Sequence, residues 1–90
     1  MDDRVRAARR RLNPCLKDAI RAPLTQLPAK WADCMRVILA APELRDDDDA
    51  PVILDFARRL RASRYSTAEV RQLAAAVELM LTAPGPIPAV

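Results

Sequence analysis

Apolar positions recur along this chain at three- and four-residue intervals and never in sustained alternation, while prolines at 14, 23, 28, 42, 51, 84, 86 and 88 cut the pattern into short pieces. Such spacing lays apolar side chains on one stripe of an α-helix, so the longer pieces between prolines are predicted helical. The first piece, from Asp2 to Leu12, puts Val5, Ala8 and Leu12 on one stripe, with Asp2 or Asp3 at its start. Asn13-Pro14 is expected to break it, because proline pushes the residue before it out of the α region. A short helix from Pro14 to about Ala22 then turns Cys15, Leu16, Ala19 and Ile20 inward, and PLTQLP, residues 23–28, connects onward.

The second half of the pattern is stronger. In AKWADCMRVILAA, Trp31, Cys34, Met35, Ile38 and Leu39 follow the i, i+3, i+4, i+7, i+8 rule, with Lys30, Asp33 and Arg36 on the other side. In PVILDFARRLRAS, Val52, Ile53, Phe56, Ala57 and Leu60 form one face, and Asp55 precedes Arg58 and Arg59 by three and four residues, as helical ion pairs require. YSTAEVRQLAAAVELML adds a start signal. Ser66 and Glu69 have the spacing of a capping box, Tyr65 and Val70 that of a hydrophobic staple, and Val70, Leu73, Ala74, Val77, Met80 and Leu81 point one way along the helix that follows.

These elements predict an all-α protein, a small irregular or orthogonal bundle of four to five helices whose 51–64 and 67–82 pieces form a C-terminal αα-hairpin. The 90 residues suit one domain, taken as 1–83, followed by an extended proline-rich tail over 84–90. With 51% hydrophobic residues but one Trp, one Tyr and one Phe, the core must be built from aliphatic side chains and stays small, so a partner or self-association would add stability. The one glycine, Gly85, lies in that tail, which argues against hairpin turns and phosphate-cradling loops. No segment reaches the ~20 apolar residues of a membrane span, and MDDRVRAARRR lacks the apolar stretch of a signal peptide, so the cytoplasm is the expected location. Cys15 and Cys34 are read as small hydrophobes in a reducing compartment.

Charge changes the picture more than composition does. The formal net charge of +3 hides a segregation: residues 1–30 carry eight positive and three negative side chains, residues 31–55 two and seven, and residues 56–90 five and two. The acidic middle culminates in RDDDDAPVI. Four consecutive aspartates, Asp46 to Asp49, precede Pro51 and an apolar run, so one of them, Asp49 or a neighbour, is expected to cap the next helix at its positive dipole end. One cap needs one carboxylate, and the surplus is expected to face a basic surface, either a partner's or this chain's own arginines.

Catalysis finds little support. Histidine is absent, which removes the usual general base, the usual activator of a nucleophile and the favoured zinc ligand. Consecutive aspartates without a nearby glycine do not wrap an ion as a calcium loop does, and two cysteines cannot complete a structural zinc site in one chain, so no metal and no cofactor are expected. Two binding chemistries remain. Arg4, Arg6, Arg9, Arg10 and Arg11, extended by Arg58 and Arg59, would give an electrostatic footprint for nucleic-acid phosphates. Asp46, Asp47 and Asp48, with Leu54 and Leu79 lying off the main apolar stripes, would instead serve a protein partner.

The 51–64 and 67–82 pair has the gross form of a helix-turn-helix, but its second helix would offer Glu69, Gln72, Ala75, Ala76, Glu78 and Leu79 to DNA, a face with little to donate to guanine or phosphate. The string FARRLRASRYSTAEVRQL, residues 56–73, resembles the helical arm-type domain of tyrosine recombinases: a helix, a Tyr-Ser cap, then another helix. The resemblance covers a fifth of the chain and implies a shared helical corner only, since nothing in these 90 residues is similar to that family's catalytic domain. The sequence therefore points to a non-enzymatic binding protein, a regulator, inhibitor or adaptor that works through a protein partner. Nucleic-acid binding through the Arg-rich N-terminal segment is the alternative, and the segregated charges also allow homo-oligomers.

Overall fold

A computed structural model describes residues 3–82, and these residues form a small all-α bundle. Helix α1 spans Asp3–Arg21, α2 Leu27–Leu39, α3 Ala50–Ala62 and α4 Ala68–Thr82, with 3-10 turns at Leu24–Gln26 and Pro42–Asp46. The expected tail at 84–90 and the expected cap at Asp2 lie outside the described residues.

The break expected at Asn13-Pro14 does not occur: α1 runs straight through it, with Pro14 inside. Proline inside a helix removes one backbone hydrogen bond and crowds the preceding turn, at about 3 kcal/mol. Here Arg10, Asn13 and Pro14 all lie on the exposed side, where water can take the freed carbonyl. Packing on both sides of the proline offsets the cost: Val5, Ala8 and Leu12 before it and Ala19 after it are buried. Tertiary burial thus overrides the local signal.

α1 packs on α2, α2 on α4, and α4 on α3, so the four helices wrap as a layered strip with α2 and α4 at its centre. The Pro42–Asp46 turn closes the strip by packing on all four, and it inserts Leu44, which is fully buried, between α1 and α4. A run of short-range backbone bonds from Ala41 N–H to Ile38 O through to Ile53 N–H to Asp49 O supports this segment as it crosses the core. One cluster unites Leu12, Met35, Ile38, Leu44, Ile53, Leu60, Val70 and Val77 with the small residues Ala8, Ala32, Ala41, Ala57 and Ala74. Those alanines let the helix axes approach closely in a core with few aromatics.

The helix starts differ from the sequence expectation. Thr67, not Ser66, caps α4, its Oγ1 accepting from Val70 N–H at 3.2 Å. Ser66 is buried and donates to Leu60 O, tying the corner back to the end of α3. Glu69 turns away from the cap and accepts from Arg36 Nη2 at 2.6 Å, binding α4 to α2. Tyr65 is exposed, with the Arg64 guanidinium 5.1 Å from its ring, and with Thr67 as the cap the staple positions fall on Ser66 and Arg71 and not on Tyr65 and Val70. Asp49 sits at the N-cap of α3 without a side-chain capping bond. The carboxylate two residues earlier acts instead, with Asp47 Oδ1 accepting from Asp49 N–H at 2.7 Å.

Candidate functional site

α1 and α3 do not pack extensively on each other, since each is held by a different neighbour. Between them lies a groove. Leu16, Ala19 and Ile20 of α1 form one wall, Val52 and Phe56 of α3 the other, and Trp31 of α2 lies between, around a volume of about 350 Å³. A smaller hollow of about 160 Å³ shares Leu16, Val52 and Phe56, reaches the core at Leu12, Ile38 and Ile53, and ends on Arg9 and Asp49. Ile20 and Val52, both expected to point into the core, are instead 83% and 66% exposed on the two walls. Their helical stripes are wider than the core they adjoin, and the overhang lines the groove.

The end of the groove is polar and structurally busy. Arg9 Nη1 lies 3.1 Å from Asp49 Oδ2 and 3.6 Å from Asp47 Oδ1, and the Asp47 side chain is almost wholly buried. Two of the four aspartates therefore face this chain's own arginine helix, and one of them also organises the entry into α3. Asp46 and Asp48 remain exposed. Arg6, Arg9 and Arg10 face Asp47, Asp48 and Asp49 across an open cleft of about 440 Å³. Among the described residues no group of three or more His, Cys, Asp or Glu side chains is placed to hold a metal ion.

Most candidate phosphate-binding arginines are already engaged by carboxylates. Arg11 lies 3.9 Å from Glu43, Arg59 2.8 Å from Asp55, and Arg58 3.3 Å from Glu78, which also accepts from Arg61. Arg4 has an interaction of its own. Arg6 and Arg10 make no ion pair among the described residues, and the same holds for Lys17 and Arg21. At 100° per residue these four fall within one narrow strip of α1, directly beside the strip that carries Arg9, Leu16 and Ile20. The groove thus has a basic rim along α1. On α3 the corresponding rim holds Arg59 neutralised by Asp55.

Leu54 is half-buried on α3 and Leu79 is 72% exposed on α4, but neither lines the groove. The second helix of the α3–α4 corner has its Glu69 and Glu78 bound to Arg36, Arg58 and Arg61. The two cysteines are free thiols; burial, followed by neighbouring Cys15, pushes the Cys34 thiol up to about 12, leaving it protonated and unreactive at neutral pH.

No protein-family model, curated protein or solved structure matches the chain. The α3–α4 corner is present as a helical corner, and no family assignment accompanies it.

Proposed function

We propose that this chain is a non-enzymatic binding protein, a small regulator, inhibitor or adaptor, that takes a segment of a protein partner into the groove between α1 and α3. One observation carries the reading: the exposed Ile20 and Val52 converge with Trp31 and Phe56 on one concave apolar surface. Single exposed apolar residues are ordinary on a protein surface, whereas a concave set with aromatic walls is what a partner's side chains fill. A photo-crosslinking residue placed at position 20 or 52 is expected to give the same adduct in native cells, and one at position 79 to give none. Adducts of equal yield at all three positions, or none at 20 and 52, would count against the groove.

The strip of Arg6, Arg10, Lys17 and Arg21 supports nucleic-acid binding as a second reading, because those charges are available to phosphates. It ranks below the first, since Arg9, Arg11, Arg58 and Arg59 are occupied by carboxylates and phosphate contacts leave the apolar groove empty. In that case binding to a random-sequence duplex falls steeply between low and moderate salt, and Arg6→Gln with Arg10→Gln flattens the slope.

A further inference from the structure

The groove is apolar in its walls, ends on the Arg9–Asp49 pair and carries unpaired charge along its α1 edge, and that asymmetry describes what would fill it. From Arg9 to Ile20 the α1 wall spans twelve residues, about 16 Å or three helical turns at the rise of an α-helix. Beside it, Arg10, Lys17 and Arg21 present three cations without ion-pair partners among the described residues, while Arg6 lies a turn before this wall and, with Arg10, faces Asp47, Asp48 and Asp49 across the neighbouring cleft. The opposite rim is balanced by the Arg59–Asp55 pair at 2.8 Å.

We infer that the groove's occupant is an amphipathic helix of about three turns from a protein partner, with an apolar stripe against Leu16, Ile20, Trp31, Val52 and Phe56 and carboxylates along the edge that faces α1. This rests on the groove being the partner-binding surface. An amphipathic helix buries apolar side chains at i, i+3, i+4 and i+7 in such a trough. Its flanking acids then meet Arg10, Lys17 and Arg21, which gives the complex one preferred orientation. The α4 face of a second copy does not match this description: its exposed side offers a single large apolar residue, Leu79, and its Glu69 and Glu78 are already bound. A nucleic acid would satisfy the cations and leave the apolar walls wet.

A displayed library of helical peptides, random in charge and apolar content, separates the possibilities when it is selected against the full chain and against Val52→Gln. Val52 is 66% exposed in the first turn of α3, so the substitution alters the wall without emptying the core. The expected result is enrichment on the wild type alone, of sequences with an apolar i, i+3/i+4, i+7 stripe and Asp or Glu along one edge. Selected peptides should bind Arg10→Gln/Lys17→Gln about tenfold more weakly, the effect of losing two rim charges together, with the loss shrinking at high salt. Enrichment that depends on Val52 but shows no acidic excess overturns this inference and leaves the groove reading in place. No enrichment that depends on Val52 overturns both. A random-sequence duplex that displaces the peptides and binds Val52→Gln as tightly as wild type assigns the basic rim to phosphates and overturns the inference.

Discussion

Asp47 is the residue on which the acidic segment turns, and replacing it with alanine tests that reading sharply. Its carboxylate is almost wholly buried, accepts from Asp49 N–H at 2.7 Å and lies 3.6 Å from Arg9 Nη1. A hydrogen bond to an ionised acceptor contributes about 1.5–3 kcal/mol. The ion pair adds little beyond this, because Arg9 keeps Asp49 at 3.1 Å after the change. Asp47→Ala is therefore expected to cost about 2 kcal/mol, lowering the thermal midpoint by about 10 °C for a domain of this size. Asp47→Asn keeps an acceptor for Asp49 N–H and should cost about 1 kcal/mol, while the exposed Asp48→Ala should stay within about 0.5 kcal/mol. Urea and thermal unfolding followed by far-UV circular dichroism and Trp31 fluorescence give all three values. If Asp47→Ala and Asp48→Ala unfold at the same midpoint, Asp47 is only one more surface carboxylate and its structural role is refuted.

At the start of α4, Thr67→Ala removes the cap that holds Val70 N–H and should cost about 1 kcal/mol in the same assay, whereas a capping box of Ser66 with Glu69 would leave that substitution near neutral. Cys34 links stability to alkaline pH. Its thiol, raised in the fold from 9.0 to about 12, is protonated in the folded chain while the unfolded chain ionises, so its contribution is complete below about pH 9 and is lost as pH rises toward 12. Between those limits wild type should lose about 1.4 kcal/mol per pH unit more than Cys34→Ala, measured by urea unfolding across the range. A thiol reagent at neutral pH should modify half-buried Cys15 in the native protein and reach Cys34 only on unfolding; equal rates would contradict its burial. In the groove, Val52→Gln should change stability by less than about 0.5 kcal/mol, which separates any loss of partner binding from loss of fold.

The helical periodicity carried the fold class, because a stripe of Trp31, Cys34, Met35 and Ile38, or of Val70, Ala74 and Val77, has one physical solution in water. It did not carry three other features. Pro14 reads as a break since its cost is local, while the burial that offsets it comes from α2 and the Pro42–Asp46 turn, which local sequence does not show. Leu44 reaches the centre of the core from a five-residue turn too short to have a period. Ile20 and Val52 read as core because a stripe shows which residues share a face and not how far the neighbouring helix covers it. Of the charged features, the basic–acidic segregation proved legible in part: it pairs Arg9 with Asp47 and Asp49 inside the molecule, and the rim of Arg10, Lys17 and Arg21 emerges only after the paired arginines are subtracted.

The same surface that suggests a partner also limits how tightly it can be held. Fully burying Ile20 and Val52 contributes about 1.5–3 kcal/mol each, and Trp31 and Phe56 are already half-covered, so the apolar gain is modest. Association itself costs at least about 4 kcal/mol in lost freedom, and a segment that becomes helical on docking pays further for its ordering. Apolar contact alone then leaves little surplus. The rim charges must supply orientation and a rapid, salt-sensitive encounter, and the partner's own side chains must reach the hollow at Leu12, Ile38 and Ile53 for affinity to exceed the micromolar range. A complex of the proposed kind would form and dissociate quickly, as the proposed regulator requires more than a permanent subunit does.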